Sequence, residues 1–186
     1  MHRSIAFCAL LGAAALAGAV ALASSHRDLG DVEGVGGRDS VAFPLEEARP
    51  NPGLTPGAAN PAVRQANIRE TICRRGYTKR IRPPRNYTER LKRRQMRQYR
   101  YPDRRLRDYE EDHLVSLGIG GAPADPRNLW PEPRHVVGGW GSDAKDTLED
   151  RLHTAVCRGR VPLVEAQRAM VVDWIAAYKR YVGPAP

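Results

Sequence analysis

The sequence predicts an α+β fold in which a small hairpin-helix unit packs with several α-helices. Two strand-like stretches, 109–117 and 128–130, are separated by a glycine-rich turn, which indicates a short hairpin. Two amphipathic stretches follow at 142–157 and 163–182, and their apolar residues recur at helical spacing. Because each of these helices has an apolar face to bury, the pair is expected to form most of the core.

The elements before the hairpin are shorter. Asn60-Pro61 is typical of an N-cap followed by a first-turn proline, and it predicts a short helix. Residues 76–82 are strand-like, and a proline pair ends that stretch. A further helix with few apolar contacts is expected to begin at Thr88.

The first residues, 1–23, have the layout of a secretory signal peptide. A short basic start precedes an uncharged, Ala- and Leu-rich run from Ile5 to Leu22, and small residues then offer a cleavage site after Ala23. The alternative is a transmembrane anchor, because about 18 apolar residues can just span a bilayer. The small-residue site favours removal. The chain is therefore expected to be exported, to the periplasm or out of the cell, without stable membrane insertion after cleavage.

Residues 24–60 are expected to be a disordered linker. They contain six Gly and four Pro, carry three Arg against six acidic residues, and show almost no apolar periodicity. Such a segment buries too little apolar surface to offset the entropy that ordering costs. The folded domain is therefore predicted at 61–183. Its N-terminal part, 61–111, is basic, with 17 Lys and Arg against six acidic residues.

Two cysteines remain after the predicted cleavage, Cys73 and Cys157. An even pair in an exported chain favours one disulfide. A catalytic thiol or a pair of metal ligands is the alternative, but neither cysteine lies in a C-x-x-C spacing. We therefore expect a disulfide between two residues that are 84 positions apart.

The residues suited to catalysis lie in the middle of the chain. Asp112-His113 is part of the first strand-like stretch, a Gly120-Gly121 turn follows, and Asn128 begins the second stretch. A helix that begins with acidic residues comes next. This order can bring one metal ion and one imidazole to a single phosphate, whereas an Asp-His pair alone is also common as a surface ion pair.

These motifs resemble the HNH-type nucleases, the ββα-metal superfamily. The central matches are Asp112-His113-Leu114-Val115, Gly120-Gly121 and Asn128-Leu129-Trp130-Pro131. Further motifs across 61–183 are similar to an exported bacterial subgroup of HNH-like proteins, among them Gly76-Tyr77-Thr78, Arg82-Pro83-Pro84 and Lys145-Asp146. The resemblance implies a ββα-metal hairpin-helix unit and a metal-assisted phosphodiesterase.

The resemblance also implies a role for each central residue. His113 would be the general base that takes a proton from the attacking water, and Asn128 would orient its ring. Asp112 would be a metal ligand and would point away from His113, because neighbours on a strand alternate faces. A hard carboxylate oxygen suits Mg²⁺ or Mn²⁺, so one such ion is the expected cofactor.

A second metal ligand is expected near the start of the helix at 142–157. HNH enzymes usually have a His or Asn there, and this chain has Asp143 at the corresponding position. Asp146 lies one turn later on the same side of the helix, so both carboxylates are candidate ligands. Alternatively, both are simply acidic residues that stabilise a helix N-terminus.

The basic part of the domain predicts a nucleic acid as partner, DNA or RNA. Arginine and lysine that neutralise phosphates give binding that depends on salt and not on base sequence. The alternative is a solvated charged face, or attraction to anionic lipids or cell-wall polymers of the envelope. The candidate contacts are Arg90, Lys92, Arg93, Arg94, Arg97, Arg104 and Arg105.

Two functions from different classes follow. The first is an exported metal-dependent endonuclease that hydrolyses phosphodiester bonds of DNA or RNA with little sequence preference. The second is a non-catalytic envelope protein of HNH-like fold that binds nucleic acid or another polyanion. The absence of histidine from the first turn of the site helix favours the second function, whereas Asp112, His113 and Asn128 favour the first.

Overall fold

Residues 42–186 are described by the computed structural model, and they contain four α-helices and one two-stranded sheet. The predicted α+β class is therefore confirmed. The helices are α1 (Tyr77–Ile81), α2 (Arg85–Tyr99), α3 (Ser142–Cys157) and α4 (Leu163–Tyr181), and the strands are β1 (Tyr109–His113) and β2 (Leu129–Pro133). The predicted signal peptide, 1–23, and the first part of the predicted linker, 24–41, lie outside the described residues.

The sheet is an antiparallel hairpin in which Asp112 lies opposite Trp130 and His113 lies opposite Leu129. Pro131 and Pro133 both belong to β2, although proline has no N–H to donate. Both prolines occupy positions of β2 whose backbone groups point away from β1. The bond from the Leu114 N–H to the Asn128 carbonyl fixes this pattern, because bonded and non-bonded residue pairs alternate along an antiparallel ladder. The hairpin therefore keeps its register despite the prolines.

Helix α2 packs on the sheet through polar as well as apolar contacts. Leu91 and Met96 are buried. Gln95 Nε2 donates to the Leu129 carbonyl at 2.7 Å, and Lys92 Nζ donates to the Leu106 and Tyr109 carbonyls at 3.0 and 3.2 Å. These bonds fix α2 to the backbone of both strands.

Helices α3 and α4 supply much of the core, as their apolar spacing predicts. The buried face of α3 meets that of α4, and the members of this cluster include Leu148, Leu152, Val156, Met170 and Trp174. A disulfide joins Cys73 to Cys157 at the end of α3, with Cα atoms 5.6 Å apart, so the predicted bond is confirmed. A loop of this length is worth about 4–5 kcal/mol in the chain-entropy account.

The structure corrects the predicted linker boundary near Asn60. Within 42–60, Phe43, Ala48 and Thr55 are buried. The Phe43 N–H donates to the His135 carbonyl at 2.8 Å, and the Phe43 carbonyl accepts from the Val137 N–H at 2.9 Å. A few anchoring side chains and backbone bonds therefore order this segment, although its composition lacks the periodicity of a regular element.

The structure also corrects two local predictions. Residues 77–81, expected as a strand, form the short helix α1, which begins after Gly76 in the left-handed region (φ 79°). The short helix expected after Asn60 is only a 3₁₀ turn at Gln65–Asn67. Neither element buries a residue, and both are held by local backbone bonds, such as those from the Arg80 N–H to the Gly76 carbonyl and from the Asn67 N–H to the Arg64 carbonyl.

Candidate active site

The predicted metal ligand Asp112 and the predicted general base His113 are neighbours on β1, so their side chains lie on opposite faces of the sheet. The carboxylate of Asp112 contacts Lys145 on α3. His113 is 4% exposed, and its Nε2 lies 2.9 Å from the carbonyl oxygen of Pro123. Because a carbonyl can only accept, Nε2 carries the proton and Nδ1 of the neutral ring is left as an acceptor. Burial lowers the pKa of His113, which favours this neutral form.

Two further carboxylates, those of Asp146 and Glu149, converge beside that of Asp112. One oxygen each from Asp112, Asp146 and Glu149 lies within 4.8 Å of the others. Burial opposes the ionisation of Asp112, but the Lys145 ammonium outweighs it and lowers the pKa of Asp112 to about 2. Burial and then neighbouring negative charge raise the pKa of Asp146 to about 6, and burial raises that of Glu149 to about 8. We call these three residues the acidic cluster.

A lysine lies inside the acidic cluster. Lys145 is fully buried, and its Nζ donates to the carboxylates of Asp112 and Glu149. A third carboxyl, Glu132 on β2, has an oxygen 3.7 Å from the same nitrogen. Glu132 is 1% exposed, and neither of its oxygens has a hydrogen-bond partner among the described residues. Burial raises the pKa of Glu132 well above its ordinary value.

The structure places the predicted metal ligands unevenly. Asp112 and Asp146, two of the three predicted ligands, belong to the acidic cluster. Asp143 lies outside this cluster, exposed in the first turn of α3. Glu149 takes the third place, which the sequence analysis missed. Its spacing was a usable signal, because residues three and four apart share a helix face.

The side chain of Asn128, which is predicted to orient the His113 ring, bonds only to backbone groups. Its Oδ1 accepts from the Val115 N–H at 2.9 Å and the Ala58 N–H at 3.2 Å, and its Nδ2 donates to the Val115 and Ala122 carbonyls. None of these bonds reaches His113. Asn128 instead holds the loop that supplies the Pro123 carbonyl to the His113 ring.

A close backbone contact at Gly121 explains why this loop needs glycine. A Cβ at Gly121 would lie 1.7 Å from the Val115 carbonyl oxygen, on the same stretch of backbone that Asn128 holds. The preceding Gly120 has φ +78°, which favours glycine. The predicted glycine turn is therefore a close backbone crossing next to the candidate site.

Two polar clefts open beside these groups. One, of about 360 Å³, is lined by His113 and Glu111 together with Arg82, Arg85 and Arg134. The other, of about 320 Å³, is lined by Glu149 and by arginines that include Arg74, Arg75 and Arg82. Arg82 borders both clefts. His113 and Glu149 are thus each reached from an arginine-lined cleft.

Glu111 is a buried carboxyl that the sequence analysis did not single out. It follows the same strand face as His113, two residues away. Neither of its oxygens is exposed or hydrogen-bonded within the described residues, and burial raises its pKa to about 8. The His113 cleft therefore contains a carboxyl that favours its neutral form at neutral pH.

The predicted nucleic-acid contacts are only partly available. Arg90, Arg93, Arg94, Arg97 and Arg104 are exposed, as a binding surface requires. Lys92 borders the His113 cleft, but its ammonium is committed to two backbone carbonyls. Arg105 pairs with Asp103 and Asp108, at 3.0 and 2.8 Å. Apart from Lys92, none of the seven lines either cleft.

The arginines of the clefts come from other segments. Arg74, Arg75 and Arg82 precede α2, Arg85 starts it, and Arg134 follows β2. The sequence pattern instead predicted contacts on α2 and in the segment that follows it. Only the tertiary fold shows which basic residues face His113 and Glu149.

The chain matches no protein-family model, no curated protein and no solved structure. Within 42–186, no helix is both long and apolar enough to cross a membrane. The geometry described above is therefore the basis on which a function is proposed.

Proposed function

We propose that this chain is a metal-dependent endonuclease that hydrolyses phosphodiester bonds of DNA or RNA with little sequence preference. One observation carries the proposal: adjacent residues of β1 present an imidazole, His113, which lines one arginine-lined cleft, and a carboxylate, Asp112, of the acidic cluster whose Glu149 lines the other. A base, a cation-binding group and phosphate-binding groups are the parts that this chemistry needs. The motif resemblance to HNH-type nucleases supports the same assignment.

The acidic cluster suits one divalent ion. All three donors are carboxylate oxygens, which Mg²⁺ and Mn²⁺ prefer, and they already lie within 4.8 Å of one another. Glu132 is a further carboxyl beside the cluster: both of its buried oxygens have no hydrogen-bond partner within the described residues, and one of them lies 3.7 Å from Lys145 Nζ. When bound, such an ion stabilises negative charge on the phosphate and the leaving oxygen.

The chain's own residues supply the remaining steps. His113, held through Nε2 by the Pro123 carbonyl, uses Nδ1 to accept the proton of the attacking water. Arg82 borders both clefts and binds the phosphate backbone between them. Because arginine reads phosphate and not base edges, contacts of this kind give little sequence preference.

Export to the periplasm or out of the cell is part of the proposal. The Cys73–Cys157 disulfide supports it, because such bonds persist in oxidising compartments and are rare in the cytosol. The signal-peptide pattern at 1–23 supports it independently.

The test is cleavage of supercoiled plasmid, single-stranded DNA and RNA with Mg²⁺, Mn²⁺ or chelator. We expect cleavage with metal, none with chelator, and a loss of about 10²–10⁴-fold in H113A, the range that a positioned base supplies. H135A is the matched control, because His135 is exposed and lines neither cleft. Failure of the wild-type chain to cut any substrate with either ion would contradict the proposal.

A second function is favoured by Lys145. A buried ammonium already bonds two carboxylates of the acidic cluster, as a bound cation would. If that arrangement is permanent, the chain is a non-catalytic envelope protein that binds nucleic acid or another polyanion through its arginines. It would then show salt-sensitive binding that chelator and H113A leave unchanged, with no cleavage.

A further inference from the structure

The environment of Lys145 differs from that of an ordinary buried ion pair. Its ammonium contacts Asp112 and Glu149, and Glu132 is the next carboxyl at 3.7 Å. Two of these three carboxyls, Asp112 and Glu149, belong to the acidic cluster. An ammonium and a divalent ion would therefore draw on the same oxygens.

The buried carboxyl of Glu132 provides a second, independent observation about the surroundings of Lys145. It is 1% exposed and lies on β2, opposite Glu110, on the sheet face that Asp112 shares. Both of its oxygens are buried without a hydrogen-bond partner among the described residues. A buried carboxyl in that state costs stability, and a shift of the ammonium towards it would remove part of the cost.

We propose that Lys145 is a displaceable internal counter-ion, which competes with the divalent ion for Asp112 and Glu149 and has Glu132 as its alternative partner. This inference rests on the metal set of the proposed function. Without metal, the ammonium holds the carboxylates together and limits their mutual repulsion. With metal, like charges repel at short range, so ion binding and the release of Lys145 are coupled.

The coupling has a consequence for affinity. A site of three free carboxylates binds a divalent ion more tightly than one whose oxygens already bond an ammonium. Lys145 therefore lowers the affinity for metal, and Glu132 restores part of it by accepting the displaced ammonium. Removal of the two side chains should thus change metal affinity in opposite directions.

The experiment is calorimetric titration of the purified chain with Mn²⁺, without nucleic acid. We expect K145M to bind Mn²⁺ at least tenfold more tightly than wild type, and E132Q at least threefold more weakly. In the K145M background, E132Q should have no effect, because there is no ammonium to accept. K92M is the matched control: Lys92 is also a buried lysine, but its ammonium bonds backbone carbonyls, so its loss should leave Mn²⁺ affinity unchanged.

The outcomes distinguish a failure of the proposed role of Lys145 from a failure of the proposed metal site. Equal or weaker Mn²⁺ binding by folded K145M, with binding by wild type intact, overturns the role of Lys145 and leaves the metal site standing. Absence of Mn²⁺ binding in both wild type and folded K145M overturns the metal site as well. If K145M does not fold without metal, E132Q carries the test by itself, and an unchanged affinity in that variant overturns the inference.

Discussion

Ionisable side chains on the two faces of β1 have their pKa values shifted in different ways. On one face, Asp112 is buried beside the Lys145 ammonium, which lowers the pKa of Asp112 to about 2 and keeps it charged. On the other face, burial raises the pKa of Glu111 to about 8 and lowers that of His113, so both favour their neutral forms. Lys145 keeps only Asp112 charged in this way, because burial still raises the pKa of Glu149, which the same ammonium contacts, to about 8.

This difference suits the two roles that the proposed function assigns to β1, cation binding and proton transfer. A cation needs charged oxygens, and Asp112 supplies one. Proton transfer needs a neutral imidazole with a free acceptor, which His113 supplies through Nδ1. Because neighbours on a strand alternate faces, two consecutive residues can meet both needs within one short element.

The largest expected effect is on Mn²⁺ binding and cleavage when one residue on each face of β1 is substituted. D112N should abolish both Mn²⁺ binding and cleavage, because it removes a carboxylate of the acidic cluster. H113A should reduce cleavage by about 10²–10⁴-fold and leave Mn²⁺ binding intact, because its ring faces away from the cluster. Calorimetry and a plasmid assay on the same preparations measure the two properties.

D143N is the control for this pair, since Asp143 is exposed and outside the acidic cluster. It should match wild type in both assays. Loss of Mn²⁺ binding in D143N, or in H113A, would show that the two faces do not act separately.

A smaller effect concerns stability on the His113 face. Folding raises the pKa of Glu111 from 4.5 to about 8, so the native state keeps a proton that the unfolded chain releases. Stability is therefore lost as pH rises from about 4.5 through 8. The glutamine side chain in E111Q is neutral at every pH, so this variant does not lose stability in this way. Its unfolding free energy should equal that of wild type near pH 4.5 and exceed it by on the order of a few kcal/mol at pH 8.

Urea denaturation at several pH values measures this difference. E70Q is the control, because Glu70 is an exposed carboxyl that lines neither cleft. A difference between E111Q and wild type that stays constant with pH would show that Glu111 is ionised in the folded protein.

The smallest effect concerns the residue that borders both clefts. R82A should weaken nucleic-acid binding by about three- to tenfold and reduce the salt dependence by roughly one phosphate contact. R105A should change neither, because that guanidinium already pairs with Asp103 and Asp108. Binding measured against salt concentration checks both variants, and equal effects would argue that the clefts do not select particular arginines.

Sequence patterns predicted the elements that carry strong local signals. The apolar spacing of α3 and α4, the glycine crossing at Gly121 and the Cys73–Cys157 pair all depend on residue type and spacing. Patterns failed where a few long-range contacts decide the conformation. Phe43 is the example: its backbone bonds to a segment more than ninety residues away hold a stretch that composition alone predicts to be disordered.

For the candidate site, the sequence by itself determined which residue types are present and their order: Asp112 next to His113, and acidic residues with a lysine on the following helix. Only the tertiary structure decided their roles. It committed the amide of Asn128 to backbone, left Asp143 at the surface and enclosed Lys145 among carboxylates. The physical reason is that burial and partner charge, which set protonation and cation binding, arise from contacts between segments far apart in the chain.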